Sequence, residues 1–223
     1  MLERVAPARP LPRVAGWWVR GSLLFASTMA IGGLVPLLVG EVLAQRSLLH
    51  LQALGTWGGA LVALVCGDFV AYWLHRWSHE NATLWRWTHQ LHHAAERVDV
   101  LGAAFMHPLD IALGSLATST AVGVLGVSPA GVAVAVILTL FMGVLQHLNV
   151  RTPPWLGYVV QRPESHSLHH ARGLHRGNYG NLALWDIVFG TFENPRDFTA
   201  EAGFFDGASA RIFELLRGRD IQR

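Results

Sequence analysis

Long uncharged stretches dominate the first two thirds of the chain and predict its architecture. Residues 21–40 and 47–67 contain no Asp, Glu, Lys or Arg, and neither does the 40-residue run 111–150. A helix that crosses a bilayer needs about 20 mostly apolar residues, so the third run is long enough for two crossings. Its middle reads Gly126-Val127-Ser128-Pro129, which is typical of a turn. We therefore predict about four transmembrane helices, near residues 21–40, 48–67, 111–126 and 130–148.

These helices predict an all-α, polytopic membrane protein with a single membrane-embedded domain over residues 1–223. Two other interpretations are a large soluble core with buried helices and a cleavable signal peptide at the N-terminus. A soluble fold of 223 residues has little room for three uncharged stretches of this length. The first apolar run is longer than the hydrophobic region of a signal peptide and contains Pro36.

The composition agrees with a membrane protein. Hydrophobic residues make up 52% of the chain and charged residues only 14%, whereas an average soluble domain has roughly 25% charged residues. The mean hydropathy is +0.33. These values exclude a disordered chain and an ordinary soluble enzyme. The single cysteine, Cys66, excludes internal disulfide bonds and any CxxC metal or redox site.

The distribution of arginine predicts the orientation of the helices. All 17 basic residues are Arg, and only Arg46 lies between the first and second spans. The other 16 lie before the first span, between the second and third, or after the fourth. The positive-inside rule therefore places both termini and the middle loop in the cytosol. We expect an integral protein of the bacterial inner membrane with a helical cap on its cytosolic side.

Histidine is unusually frequent, and its positions converge on the same side. The chain has 12 His, of which 11 lie from His75 to His175, while His50 lies near the opposite membrane face. With the topology above, all 11 lie at or beyond the cytosolic ends of the helices. The spans follow from the uncharged stretches and not from the histidines, so this convergence independently supports one shared site at the cytosolic face.

The first motif combines two histidines with two other polar residues. His75 and His79 are four residues apart and therefore project from one face of a helix. That spacing lets two imidazoles bind one metal ion. Asp68 and Tyr72 share this face. A carboxylate beside a ligand histidine fixes the tautomer of the ring and raises its basicity, so Asp68 is a candidate for that role.

Two further motifs have the pattern HxxHH. Neighbouring residues on a helix point about 100° apart, so one such motif can supply ligands to two metal ions. The alternative is a solvated run of surface histidines. The three motifs together hold more histidines than the four positions of a tetrahedral zinc site, which favours two metal ions. Their eight histidines are His75, His79, His89, His92, His93, His166, His169 and His170.

Isolated histidines also lie near the motifs. His107 precedes the third span and His147 ends the fourth. We predict both as additional metal ligands, although a lone histidine at a helix end often has a hydrogen-bonded structural role. His175, in a glycine-rich loop, is either a ligand or a supporting or surface residue. We expect His50 to be unrelated to the site.

These residues resemble the fatty acid hydroxylase/sterol desaturase superfamily of integral-membrane, histidine-rich di-iron enzymes. That family has the motifs HxxxH, HxxHH and HxxHH, often with an Asp and a Tyr-Trp pair before the first, here Asp68 and Tyr72-Trp73. The segment 185–191, with the sequence WDIVFGT, resembles its closing signature. The resemblance covers about residues 68–192. It implies two iron ions held by His75, His79, His89, His92, His93, His107, His147, His166, His169 and His170.

The resemblance also implies an activity. Members of this family use O₂ to hydroxylate or desaturate an unactivated C–H bond in a lipid, such as a sterol, a fatty acyl chain or a carotenoid. The lipid substrate would come from the bilayer, and electrons from a separate soluble electron-transfer protein, because the chain has no haem, flavin or iron–sulfur motif. Asp68, Tyr72 and Asp186 are candidates for supporting catalytic roles beside the metal ligands. We expect no nucleic acid partner.

The main alternative is a membrane-bound zinc hydrolase, in which a histidine-bound metal ion activates water. Such sites have fewer ligands and a carboxylate base, but this chain has no HExxH motif, and Glu164 lies only near one of the histidine motifs. A haem protein with two axial histidines is a further alternative. A purely structural membrane protein is disfavoured, because ionisable groups massed at a membrane face usually serve a function.

Overall fold

A computed structural model describes residues 2–222, and helices are its regular elements. About 63% of the chain is helical, and the described part contains no β-strand, which confirms the all-α prediction. The α-helices are α1 (Leu2–Val5), α2 (Trp17–Gln45), α3 (Gly55–Glu80), α4 (Ala82–Leu84), α5 (Gln90–His93), α6 (Pro108–Leu125), α7 (Pro129–Leu145), α8 (Pro163–His169), α9 (Ala183–Phe189) and α10 (Ile212–Leu215). Short 3₁₀ helices span Leu51–Leu54, Gly102–Ala104, Pro154–Tyr158 and Ala208–Ala210, and a π-helix spans Trp85–His89.

Three helices are long and apolar enough to cross a membrane. They span Trp17–Gln45, Leu51–Glu80 (the 3₁₀ turn together with α3) and Pro108–Leu125, while α7 is a shorter apolar helix of 17 residues. A 17-residue helix is about 26 Å long, at the lower limit for a span. The architecture is thus that of a polytopic membrane protein, as the uncharged stretches predict.

The second span differs most from the sequence prediction. Gly55, with φ of 63°, separates the 3₁₀ turn from α3, which then continues to Glu80 instead of ending near residue 67. Asp68 ends the uncharged run at that point, but this side chain is buried inside the protein and does not interrupt the helix. The extension carries the first histidine motif in the last two turns of α3.

The turn between α6 and α7 has the predicted chemistry. Gly126 caps α6 in the left-handed region with φ of 61°. The Ser128 side chain then accepts a hydrogen bond from the Gly131 amide and caps α7, whose first residue is Pro129. Serine at the cap and proline in the first turn both favour helix initiation. The hairpin therefore returns the chain to the side on which the histidines lie.

The α3 helix is central, because it packs against both α6 and α7, while α2 packs against α6. Its contact with α7 is close: a Cβ atom on Gly131 would lie 3.1 Å from the Thr56 carbonyl oxygen and 3.1 Å from the Ala60 amide nitrogen. Small residues permit such close approach between membrane helices. On the outer face of α2, Leu23 and Leu37 are exposed, as lipid-facing side chains are.

A helical cap covers the end of the bundle that carries the histidines. Its apolar core joins the start of α2, α5 and the C-terminal segment through Trp17, Leu91, Phe105, Leu215 and Ile221. The Trp17 and Phe105 rings stack with centroids 5.1 Å apart. The C-terminal segment is therefore packed into the cap, although Phe213 remains exposed.

Candidate metal centre

Nine histidines lie in two adjacent groups at the junction of the bundle and the cap. In each group, one nitrogen per ring lies within 4.8 Å of the corresponding nitrogen of every other ring. The five-histidine group consists of His75, His79, His89, His93 and His169. The four-histidine group consists of His92, His147, His166 and His170. The groups touch directly, since the His93 and His170 rings stack with centroids 4.2 Å apart.

Helical geometry explains how the motifs divide between the groups. Of the adjacent pair in the first HxxHH motif, His92 belongs to the four-histidine group and His93 to the five-histidine group. The adjacent pair of the second HxxHH motif divides in the opposite order, with His169 in the five-histidine group and His170 in the other. The first HxxHH motif begins at His89, the last residue of the π-helix Trp85–His89. A π-helix is a local widening of a helix that is frequent at functional sites.

Two histidines show why the five-histidine group fits a cation. The Nδ1 atoms of His75 and His169 each lie 2.7 Å from a backbone carbonyl oxygen, of Tyr179 and Gly177 respectively. A carbonyl oxygen only accepts, so each Nδ1 carries the proton and each Nε2 presents a lone pair. These two Nε2 atoms lie 3.1 Å apart. Two lone pairs at this distance repel unless a cation lies between them.

His175 supports two further members of this group. Its carbonyl oxygen accepts a hydrogen bond of 2.8 Å from the Nδ1 atom of His79. Its ring Nδ1 lies 3.0 Å from the Nδ1 atom of His93. The Nε2 atoms of His79 and His93 are buried and have no hydrogen-bond partner among the described residues. Both rings therefore direct an unsatisfied nitrogen at the centre of the group.

His89 completes the five-histidine group with a carboxylate partner. Its Nδ1 atom lies 2.8 Å from Oδ2 of Asp110, near the start of α6, and its buried Nε2 has no partner among the described residues. Sequence reasoning missed Asp110, because the pair is separated by 21 positions and an acid in the first turn of a helix is common. The sequence did offer one signal for Asp110, because this acid stands directly before the uncharged run 111–150.

The four-histidine group has the spacing of adjacent metal ligands. The Nε2 atom of His147 lies 3.3 Å from that of His92 and 3.1 Å from that of His166, which lies 3.1 Å from that of His170. Metal–nitrogen bonds of about 2.0–2.1 Å place neighbouring ligand atoms about 3.0–3.4 Å apart. His147 is held by its Nδ1 atom, which donates to the Gly143 carbonyl oxygen at 2.8 Å.

Burial keeps these imidazoles neutral. It lowers the pKa of each cap histidine well below the usual value, and the neighbouring histidines lower it further; this holds for His89, His92, His93, His166, His169 and His170. Burial also lowers the pKa of His147 to about 4. Neutral imidazole is the form that binds a metal ion, so the groups are available as ligands at neutral pH.

Asp68 and Asp186 act on a loop rather than on a ligand. Asp68 accepts hydrogen bonds from the Asn181 and Leu182 amides, each at 3.0 Å. Asp186 accepts from the Tyr179 and Gly180 amides, each at 2.8 Å. Together the two carboxylates fix the loop whose Tyr179 carbonyl holds His75. The shared helix face predicts that Asp68 contacts His75 directly. In the structure, Asp68 instead supports His75 through the loop that contains Tyr179.

The remaining candidate residues lie beside the centre. Tyr72 is fully buried, and its hydroxyl bonds Thr191 at 3.0 Å, so it connects α3 to the end of α9. His107 lies outside both groups: its Nδ1 caps α6 by accepting from the Leu109 amide, and its Nε2 lies 3.3 Å from the Leu216 carbonyl oxygen. Thus the structure brings together nine of the ten predicted ligands.

The two groups contain no carboxylate among the described residues. Glu164, the acid near the second HxxHH motif, is buried in an ion pair with Arg162 and accepts further hydrogen bonds from Thr152. Both of its carboxylate oxygens are therefore occupied by these partners.

Comparisons with known proteins agree with this centre. A family model described as fatty acid hydroxylase matches residues 60–191. The ornithine lipid hydroxylase OlsE of Rhizobium tropici is 39% identical over 145 residues, which are 60% of this chain and 42% of that protein. Human alkylglycerol monooxygenase is 31% identical over 143 residues, which are 62% of this chain and 31% of that protein. A Delta(7)-sterol-C5(6)-desaturase of Nicotiana tabacum is 30% identical over 142 residues, 61% of this chain and 50% of that protein.

The chain spans half or less of the length of these relatives, and no solved structure matches it. The family match nevertheless covers more than half of the chain and includes all nine histidines of the two groups. The chain therefore belongs to the fatty acid hydroxylase family.

Proposed function

We propose that this protein is a di-iron oxygenase that hydroxylates or desaturates an unactivated C–H bond of a membrane lipid. The observation that carries the proposal is the convergence of nine histidine nitrogens into two touching groups, each with the spacing of a metal-ligand set. Nitrogen-only ligation suits iron, copper, nickel and zinc, and the family of the chain favours iron. His107 and His175 are not needed to complete either group.

The bound iron ions would supply the activation of O₂, with two electrons and two protons from outside and one oxygen atom released as water during hydroxylation. The protein's part is to hold the nitrogen atoms in place. Backbone carbonyls of residues 177 and 179 and the Asp110 carboxylate orient the rings from behind, which fixes their tautomers. Burial excludes water from the ligand nitrogens, which limits side reactions.

The position of the centre favours a substrate from the bilayer. His75 and His79 lie in the last two turns of α3, and His89 is tied to the start of α6, so the centre lies at one membrane end of the bundle. The relatives named above as hydroxylating ornithine lipid and acting on alkylglycerol support a lipid as the substrate. We infer that a separate soluble protein delivers the electrons, and that this end faces the cytosol of a bacterial cell.

Metal analysis and lipid profiling test the proposal together. The purified protein is expected to contain two iron ions per chain and to consume O₂ only with an electron donor. Lipids of cells that express the gene should gain one oxygen atom per molecule on hydroxylation, or lose two hydrogens on desaturation. A His89→Ala variant should lose both the iron of the five-histidine group and the lipid product. Stoichiometric zinc with lipid hydrolysis would instead establish the hydrolase.

A further inference from the structure

Two short segments form one apolar surface on the flank of the cap. The 3₁₀ turn Pro154–Tyr158 and helix α9 lie side by side, joined by a bridge between Val160 and Leu182 and by a hydrogen bond of 3.2 Å from the Ala183 amide to the Val159 carbonyl. We call the outward-facing residues of these segments, together with the residue directly after the turn, the α9 surface. They are Trp155, Tyr158, Val159, Leu184, Ile187 and Val188.

The α9 surface exposes large apolar side chains without a charge among them. Trp155 is 66% exposed, Tyr158 64% and Val188 57%. The only charged residue in the two segments is Asp186, which is 1% exposed and points into the protein. A contiguous apolar patch of this kind marks a contact with another apolar phase or molecule.

The neighbouring part of α3 indicates that the membrane is the apolar phase that this surface contacts. Phe69, an exposed residue of the α3 span, contacts the Trp185 ring of α9 at 4.8 Å between centroids, and Trp73 contacts Phe189 at 4.9 Å. Phe69 lies 14 residues beyond Gly55 and therefore about 21 Å along the helix. The hydrocarbon core is about 30 Å thick, so, counted from Gly55, α9 packs against α3 in the third of that layer nearest the histidines.

We propose that the α9 surface is embedded in the membrane, at the boundary between lipid headgroups and acyl chains, in the leaflet next to the metal centre. Helix α9 packs on the exposed Phe69 of α3 through its Trp185 and Phe189 rings, so the α9 surface adjoins the lipid-facing side of α3. Trp and Tyr at positions such as 155 and 158 are the residues that prefer this boundary. The occupant is therefore the lipid itself and not a second protein.

The same helix connects this contact to the metal ligands. The inward side of α9 carries Asp186, which holds the Tyr179 and Gly180 amides, and the Tyr179 carbonyl holds His75. The cap would thus be anchored to the bilayer through the helix that supports the loop behind His75.

Spin-label accessibility tests this placement without any need for turnover. In a Cys66→Ser background, nitroxides are attached to Trp155→Cys and Val188→Cys, with Leu37→Cys on α2 as the membrane control and Asp206→Cys, whose side chain is 95% exposed, as the aqueous control. The metal-loaded variants are placed in phosphatidylcholine–phosphatidylglycerol nanodiscs. Collision with O₂, which concentrates in the apolar layer, is then compared with collision with a water-soluble nickel complex.

The labels at positions 155 and 188 are expected to show an O₂-to-nickel ratio several-fold above that of position 206 and close to that of position 37. Ratios equal to that of position 206 would overturn the proposal, because they would place the surface in water. Low accessibility to both reagents would also overturn it, since it would mean that protein, such as a second copy, covers the surface. Metal content measured on the same samples reports separately on the proposed oxygenase.

Discussion

His175 is the residue whose importance is least evident from the sequence. It has φ of 46°, a left-handed conformation that is rare for residues other than glycine and more accessible to Asn than to most. In that conformation its carbonyl faces His79 and its ring faces His93. If His93 binds a metal ion through Nε2, its Nδ1 proton is donated to His175, which fixes the tautomers of both rings.

We therefore predict that His175→Ala lowers the metal affinity of the five-histidine group by about 10–100-fold and leaves the four-histidine group unchanged. His175→Asn should retain more affinity, because Asn tolerates this backbone conformation and offers a carbonyl oxygen to His93. Metal titration of the apoprotein measures both sites. His50→Ala is the matched control, since His50 has φ of 50° at the far end of the bundle. Equal loss from both groups would contradict the assignment.

Asp110 allows a second test at the same scale. Asp110→Ala removes the acceptor for His89 Nδ1 and leaves that nitrogen without its partner, so the iron affinity of the five-histidine group should fall about 10–100-fold. The iron affinity of Asp110→Asn should fall less, because the amide oxygen of Asn can still accept a hydrogen bond from His89 Nδ1. Glu80→Ala is the control, as Glu80 is an exposed acid that pairs with Arg76. The variants are compared by their iron content after dialysis against a chelator. If Asp110→Ala and Glu80→Ala retain equal amounts of iron, Asp110 does not support His89 as a metal ligand.

The sequence predicts the local part of this arrangement but not the contacts between distant residues. The division of His92 and His93 between two groups follows from the 100° step of a helix and is local. The partners behind the ligands are not local: His75 finds Tyr179 and His79 finds His175 across about a hundred positions. Such pairs depend on tertiary packing, which spacing along the chain does not encode.

At the scale of elements, uncharged stretches locate the membrane helices but not their ends. A helix ends where its hydrogen bonding and packing end, so α3 continues through Asp68 to Glu80 because that acid faces the protein. The turn between α6 and α7 was accessible from the sequence, since its Gly126, Ser128 and Pro129 each act through the local backbone. A polar residue ends a membrane helix or lies within it depending on whether its side chain faces the protein interior. The sequence alone does not show which face of the helix is buried.

The contact between α3 and α7 leads to a prediction about stability. Gly131→Ala places a methyl group 3.1 Å from backbone atoms of Thr56 and Ala60, which are unable to move aside as a flexible side chain does. Overpacking of this kind should destabilise the protein by about 1–3 kcal/mol. Gly114→Ala on α6 meets no atom within 4 Å and should be neutral or stabilising. Thermal unfolding in detergent compares the variants, and equal melting temperatures would show that the two helices are less tightly packed.

The ends of the membrane helices define two faces of the molecule. Gln45, Gly55 and the Gly126 turn lie at one end, and the metal centre with the cap lies at the other. Arginine follows the same division, because 15 of the 16 arginines among the described residues belong to the end with the cap. Positively charged loops are retained in the cytosol during insertion. We therefore predict that the metal centre is cytosolic in a bacterial cell.

Cysteine labelling in the Cys66→Ser background tests this orientation. Asp206→Cys, in the cap, should react with a membrane-impermeant maleimide only in inverted inner-membrane vesicles, and Arg46→Cys only in spheroplasts. Arg46→Cys also removes the one positive charge at that end, so it strengthens the charge difference and should leave the orientation unchanged. Reaction of Asp206→Cys in intact spheroplasts would place the centre outside the cytosol, where a soluble cytosolic electron donor is unable to reach it.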